Sequence, residues 1–145
     1  MIEVARKIVE YAFRNKADLA GKPYMGHLNR LEEKLKNKNE EIRTVALLHD
    51  LLEDCPDWNK EVLKCFFWSS VVNAVDAMTK RKGEKYEDYI NRVQSNRYAT
   101  VVKIADLEDN MDITRLKELT DKDVVRLKKY LIGYHFLTGN NDPIT

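Results

Sequence analysis

The stretch ALLHDLLED, residues 46–54, sets His49, Asp50, Glu53 and Asp54 among leucines whose spacing belongs to a core. An imidazole and three carboxylates in so short a span can hold a cation, orient a water or move a proton. On a helix, positions i and i+4 share a face, so His49 falls beside Glu53 and Asp50 beside Asp54. His49 and Asp50 sit about 100° apart around the axis and can aim at one point from neighbouring directions. Burying an unpaired charge costs several kcal/mol per ion, and a bound metal ion offsets that cost directly. The plain alternative is a helix C-terminus with solvated acids and one histidine satisfied by capping.

Two further stretches carry polar groups into apolar surroundings. In VVKIADLEDNMD, residues 101–112, Asp106 lies in a largely apolar helix, with Lys103 three residues before it and Asn110 four after. The three share a face, and a buried Asp–Lys pair with an amide neighbour is either structural or part of a site. Glu108, Asp109 and Asp112 are expected on the solvated side. In GKPYMGHLN, residues 21–29, His27 follows a tight loop and opens a helix. Such a histidine is a cap, a surface group or a ligand. Of the 3 histidines, His135 in IGYHF has no acid beside it and reads as filler.

These residues need rigid elements to position them, and the periodicity supplies helices. Spacings of three and four dominate, and strand-like alternation is scarce. IEVARKIVEYAFR aligns Ile2, Ala5, Ile8, Val9 and Phe13 in one stripe. A loop with Gly21 and Pro23 follows, then a helix over about 27–36 with Leu28, Leu31 and Leu35 inward. Asn39 is a plausible cap for one continuous helix through Asp54, with acids in its first turn to suit the dipole. Pro56 and Asp57 break the chain. A short helix carries Val62, Leu63, Phe66 and Phe67. A serine-capped helix follows with Val71, Val72, Val75 and Met78 inward, then the basic loop RKGEK. YEDYINRVQS, ATVVKIADLEDNMDITRL and a helix over about 121–138, opened by Thr120 or Asp121, complete an all-α bundle of seven or eight helices.

The 145 residues suit a single domain over 1–145, large enough to bury a core. Lysine and arginine number 25 against 24 acids, for a net charge of +1, which gives no electrostatic case for nucleic acid. No apolar run approaches the about 20 residues that span a bilayer. Cys55 and Cys65 form no CxxC and read as free thiols in a reducing compartment. The basic and acidic N-terminal helix is no secretory signal, so the expected location is the cytoplasm. Oligomeric state is left open, a homo-oligomer included.

The order His27, His49-Asp50, Asp106, within GKPYMGHL, ALLHDLLED, AVDAMTK and VKIADLEDN, resembles the HD-domain metal-dependent phosphohydrolases. More narrowly, it resembles the hydrolase domain of the RelA/SpoT alarmone family and its small stand-alone forms. The likeness runs over about Met1 to Leu116. It implies that His27, His49, Asp50 and Asp106 bind one divalent ion, Mn²⁺ in that family. Two imidazoles and two carboxylates suit a first-row transition metal better than Ca²⁺ or Mg²⁺, which favour oxygen. The resemblance further implies that Glu53 and Asp54 position and deprotonate the attacking water. Asn110 would bond the substrate and Lys103 would support the ligands. The implied reaction removes pyrophosphate from the 3′ position of ppGpp or pppGpp, a small-molecule nucleotide substrate.

The chain departs from the pattern where the family places an Arg-Lys pair that stacks on guanine. Those positions hold Asp18 and Leu19, and an acid provides no cation–π contact. The family's frequent hydroxyl residue three beyond the asparagine is Ile113. The run Lys80, Arg81, Lys82 and Lys85 could receive outer phosphates or be a solvated loop, and Tyr24 could line the pocket or anchor its own loop. Two other functions stay open: hydrolysis of another nucleotide (a nucleoside 3′-phosphate, an NADPH-type dinucleotide or a cyclic nucleotide), and a nucleotide-binding module without catalysis.

Overall fold

Asn39 starts the central helix of the fold by accepting a hydrogen bond from the Ile42 amide at 2.9 Å, with Glu40 and Glu41 in the first turn against the helix dipole. Every residue from Thr44 to Leu48 is buried, so this helix lies inside the core rather than on it. The structure is a computed structural model and describes residues 1–139. In chain order the elements are α1 (Ile2–Ala12), α2 (Met25–Lys34), α3 (Glu40–Leu48), α4 (Leu51–Asp54) and α5 (Lys60–Leu63). They continue with α6 (Ser69–Met78), α7 (Tyr86–Gln94), α8 (Arg97–Asn110), a 3-10 turn (Ile113–Arg115) and α9 (Asp121–Thr138). The fold is all-α. The end of the expected 1–145 unit, beyond residue 139, lies outside the described residues.

Helix α3 packs against α1, α2, α6 and α8, and α8 packs against α2, α3, α6, α7 and α9. These two helices are therefore the axis of the bundle. Leu28, Leu31, Leu47, Leu48, Leu51, Val71, Val75, Val102 and Leu107 fill the space between them and their neighbours. Each such side chain is worth about 1.5–3 kcal/mol when fully buried. Among the described residues no helix is long and apolar enough to cross a membrane.

Three local expectations need correction. The helix expected to run unbroken through Asp54 divides at His49-Asp50 into α3 and α4. The His49 ring bonds the Ala46 carbonyl at 2.7 Å, and that carbonyl is the acceptor a continuing helix offers to the Asp50 amide. Side chain thus competes with backbone. Asp50 relaxes to φ −99°, ψ −1°, after which Asp54 N donates to Asp50 O at 3.1 Å and the helical course resumes. No serine caps α6; Trp68 holds the cap position, and Ser70 Oγ instead donates to Glu41 Oε2 on α3 at 2.8 Å. Helix α8 ends at Asn110 rather than running to Leu116, because Asp112 turns extended and accepts the Thr114 amide, opening the 3-10 turn.

The loop between α1 and α2 is closed by an isolated antiparallel bridge between Ala17 and Pro23. Asp18 Oδ1 accepts the Ala20 and Lys22 amides, each at 2.9 Å, and Gly21 takes a positive φ of 79° where a side chain would be strained. At the other end of the chain, Thr120 and Asp123 form a reciprocal capping box that starts α9.

Candidate metal centre

His27 stands in the first turn of α2, His49 and Asp50 at the α3–α4 junction, and Asp106 in α8. The packing of α2 and α3 against α8 brings them together. His27 Nε2 lies 3.0 Å from Asp106 Oδ1. His49 Nε2 lies 3.4 Å from the same oxygen and 3.2 Å from Asp50 Oδ2. His27, His49 and Asp50 each offer one ligand atom within 4.8 Å of the others. His27, His49 and Asp106 are buried, while Asp50 is half-buried.

The outward sides of these groups are held as well. His49 Nδ1 bonds the Ala46 carbonyl, which fixes the proton on Nδ1 and turns the Nε2 lone pair inward. That buried Nε2 makes no hydrogen bond, although two carboxylates lie near it. Buried polar atoms are nearly always paired, and a nitrogen left over in this way among carboxylates fits a metal ligand. Asp106 Oδ2 takes Lys103 Nζ at 2.9 Å, and its Oδ1 takes Asn110 Nδ2 at 3.0 Å. Asp50 Oδ2 accepts the Tyr24 hydroxyl.

Electrostatics give the same picture. Burial alone would lower the His49 pKa, but Asp50 and Asp106 outweigh it and raise it. His27 is likewise raised against burial by its bonds to Asp106 and Asp109. Burial would raise the Asp50 pKa, yet the neighbouring His49 holds it down at about 2. Asp106 is held low against burial by Lys103 and His49. The space between the ring nitrogens therefore favours positive charge, a condition that suits a cation.

The two acids one turn further on, Glu53 and Asp54, lie outside the cluster and are not on the cleft lining. Glu53 is exposed and its Oε1 accepts the Lys80 amide at 2.6 Å. Asp54 pairs with Lys16. A cleft of about 370 Å³ opens beside the cluster, with His27, Asp50, Asp109, Asn110 and Tyr24 on its inner wall. Lys103 is buried behind Asp106, beneath the Tyr89 ring. Lys80 and Arg81 are not on the cleft wall. The Arg81 guanidinium is spent on the Asp76 and Thr79 carbonyls at the end of α6.

Sequence reasoning missed several residues here. Asp109, expected to be solvated, is only 3% exposed. It lies three residues after Asp106, on the same helix face, and that spacing was the available signal. It meets His27 Nδ1 at 2.6 Å, Arg30 Nε at 2.7 Å and the Arg115 guanidinium at 3.4 Å. Arg126 and Tyr130 of α9 form part of the outer cleft wall with Leu19, Ile113 and Leu116. Lys16, Arg30, Arg115 and Arg126 all line the cleft, and each is paired with an acid: Asp54, Asp109, Asp112 and Asp123 respectively.

No family model matches the chain, and no curated protein matches it. Among solved structures, a metazoan ortholog of SpoT that hydrolyzes ppGpp and plays a role in starvation responses superposes with a TM-score of 0.77. The identity is 20%, over 99% of this chain and 88% of that one. The chain has that fold.

Proposed function

We propose that this chain is a divalent-metal-dependent phosphohydrolase of the HD type that removes the 3′-pyrophosphate of ppGpp or a related nucleotide. The observation that carries the reading is the convergence of two imidazole Nε2 atoms and two carboxylates from three packed helices, beside an open cleft. The likeness in fold to a ppGpp-hydrolysing protein and the motif order in the sequence support it. His27, His49, Asp50 and Asp106 are the proposed ligands, with Mn²⁺ the ion that the mixed nitrogen and oxygen set suits best. When bound, such an ion polarises a phosphoryl oxygen and makes water more acidic.

The chain's own residues do the rest. Tyr24, donating to Asp50, and Asn110, donating to Asp106, keep the carboxylates aimed at the centre. Asn110 also faces the cleft and can donate to substrate. Glu53, tied to the Lys80 backbone, and Asp54 are the residues proposed to orient the attacking water and take its proton. Water oxygen bonds to phosphorus, the bond from phosphorus to the 3′ oxygen breaks, and a proton passes to that leaving oxygen. General-base assistance is typically worth about 10²–10⁴-fold, roughly 3–5 kcal/mol of barrier. The two free thiols, Cys55 and Cys65, suit a cytoplasmic setting for this chemistry.

A second reading keeps the chemistry and changes the base. Asp18, where the alarmone hydrolases place a stacking arginine, spends its carboxylate on its own loop, and Leu19 beside it presents an apolar side chain to the cleft. A nucleotide other than a guanosine, or one held mainly by its phosphates, is compatible with that wall. Metal analysis of the purified protein, combined with pyrophosphate release from ppGpp, phosphate release from nucleoside 3′-phosphates and NADPH, and ring opening of cyclic nucleotides to the monophosphate, separates the readings. A single ion per chain and metal-dependent turnover of ppGpp are expected. Bound metal without turnover of any substrate would turn the reading to a binding module, and no bound metal would sink it.

A further inference from the structure

We infer that Asp109 is a positioning residue for the metal centre, anchored by Arg30 and Arg115 and acting through His27. The inference rests on the reading of His27 as a ligand. Asp109 Oδ2 lies 2.6 Å from His27 Nδ1, while His27 Nε2 points to Asp106 and the cluster. A carboxylate on the far nitrogen keeps the proton on Nδ1, fixes the plane of the ring and makes Nε2 a better donor to a cation. His49 receives the same service from a backbone carbonyl. His27 sits in the first turn of α2 and has its partner on α8 instead.

The carboxylate is itself overdetermined. Arg30 Nε donates to Asp109 Oδ1 at 2.7 Å and Arg30 Nη2 to Oδ2 at 3.1 Å, a two-point grip from one turn beyond His27. Arg115 donates to the Asp109 carbonyl at 2.7 Å and has its guanidinium 3.4 Å from Oδ2. Two arginines on a single 3%-exposed carboxylate offset its burial and leave the acid no freedom to swing away from the imidazole. Helix packing alone would be served by an apolar residue at this position; the two-sided clamp serves an oriented ring. Both arginines also line the cleft, so the clamp that aims His27 is part of the wall a phosphate-bearing substrate meets.

The test is Mn²⁺ binding to metal-stripped full-length protein, by calorimetry or by the electron paramagnetic resonance of the free ion, with no substrate present. Asp109→Ala is expected to weaken Mn²⁺ binding by about 10–100-fold. Asp109→Asn keeps an oxygen for the Nδ1 proton but loses the charge, and is expected to recover part of that loss. Glu108→Ala, on the exposed side of the same helix, should bind as the wild type does. Should the alanine variant not fold, the asparagine variant decides, and at least a several-fold loss is required of it. Wild-type affinity in a folded Asp109 variant overturns this inference and leaves the proposed function standing. A wild-type chain that binds no Mn²⁺ overturns both.

Discussion

At and behind the inner side of the cleft, His27, His49, Asp50 and Asp106 stand on α2, the α3–α4 junction and α8, with His27 and Asp50 on the lining itself. On the outer side, Leu19, Ile113 and Arg126 stand on a loop, a 3-10 turn and the last helix, α9. The inner groups are buried, Asp50 only half so, and are held from several directions by Ala46, Tyr24, Lys103 and Asp109. Of the outer ones, Leu19 and Ile113 are exposed and Arg126 is half-buried, its charge balanced by Asp123. The first wall has a fixed geometry, which the proposed chemistry at phosphorus demands. The second can change its residues without disturbing the bundle, and that is where a substrate preference can be altered at small structural cost.

The largest effect should come from removing an inner ligand. His49→Ala and Asp50→Ala are each expected to abolish bound metal and reduce turnover by several orders of magnitude. Leu19→Ala or Arg126→Ala, on the outer wall, should leave metal content unchanged and raise KM by less than about 10-fold, the scale of roughly 1 kcal/mol of lost binding. Asp106→Ala is a poorer probe. It strands the buried Lys103 ammonium without its partner, a change that costs about 3–5 kcal/mol in comparable buried pairs, so lost activity would report unfolding as readily as a lost ligand. An outer-wall variant that empties the metal site would break the distinction between the walls.

The inner wall was legible in the sequence because its groups sit on helices whose period is known. Lys103, Asp106 and Asn110 share a face by spacing alone, and Lys103 and Asn110 both donate to Asp106. The misreadings occurred where a partner distant in sequence decides the outcome. Asp109 lies in a run of acids and reads as solvated; what buries it is Arg30, 79 residues away. The break at His49-Asp50 depends on an imidazole capturing a helix carbonyl, which no periodicity reveals. The place of Arg126 and Tyr130 on the outer wall depends on how α9 docks against α7 and α8, and α9 lies beyond the stretch that carries the motif resemblance.

A smaller effect separates the ligands from the proposed base. Glu53→Gln preserves an oxygen that can accept the Lys80 amide, the bond now made at 2.6 Å, so the backbone around it should hold. Metal affinity is expected to stay within a few-fold of wild type while kcat falls by about 10²–10⁴. Unchanged kcat would remove Glu53 from the mechanism and shift the burden to Asp54, whose pairing with Lys16 ties it to the mouth of the cleft. A loss of metal in the same variant would mean that the inner wall extends one turn further along α4 than the geometry indicates.

The smallest effect should fall on the outer wall alone. Thr120 caps α9 by accepting the Asp123 amide at 3.2 Å, while Asp123 accepts the Thr120 amide at 2.9 Å and also holds Arg126. Thr120→Ala is expected to cost about 1 kcal/mol in urea unfolding. The bonds from the Thr120 backbone and side chain hold the Asp123 carboxyl below its ordinary value. A folded pKa below the unfolded one adds stability that is present above the unfolded value and is lost as pH falls through the folded one. The difference between wild type and variant should therefore be full near neutral pH and shrink below about pH 4. Because α9 carries Arg126 and Tyr130, the variant should raise KM a few-fold with metal affinity unchanged. An equal loss of metal affinity would show that α9 supports the ligand helices as well as the cleft, and the two walls would then be one cooperative unit.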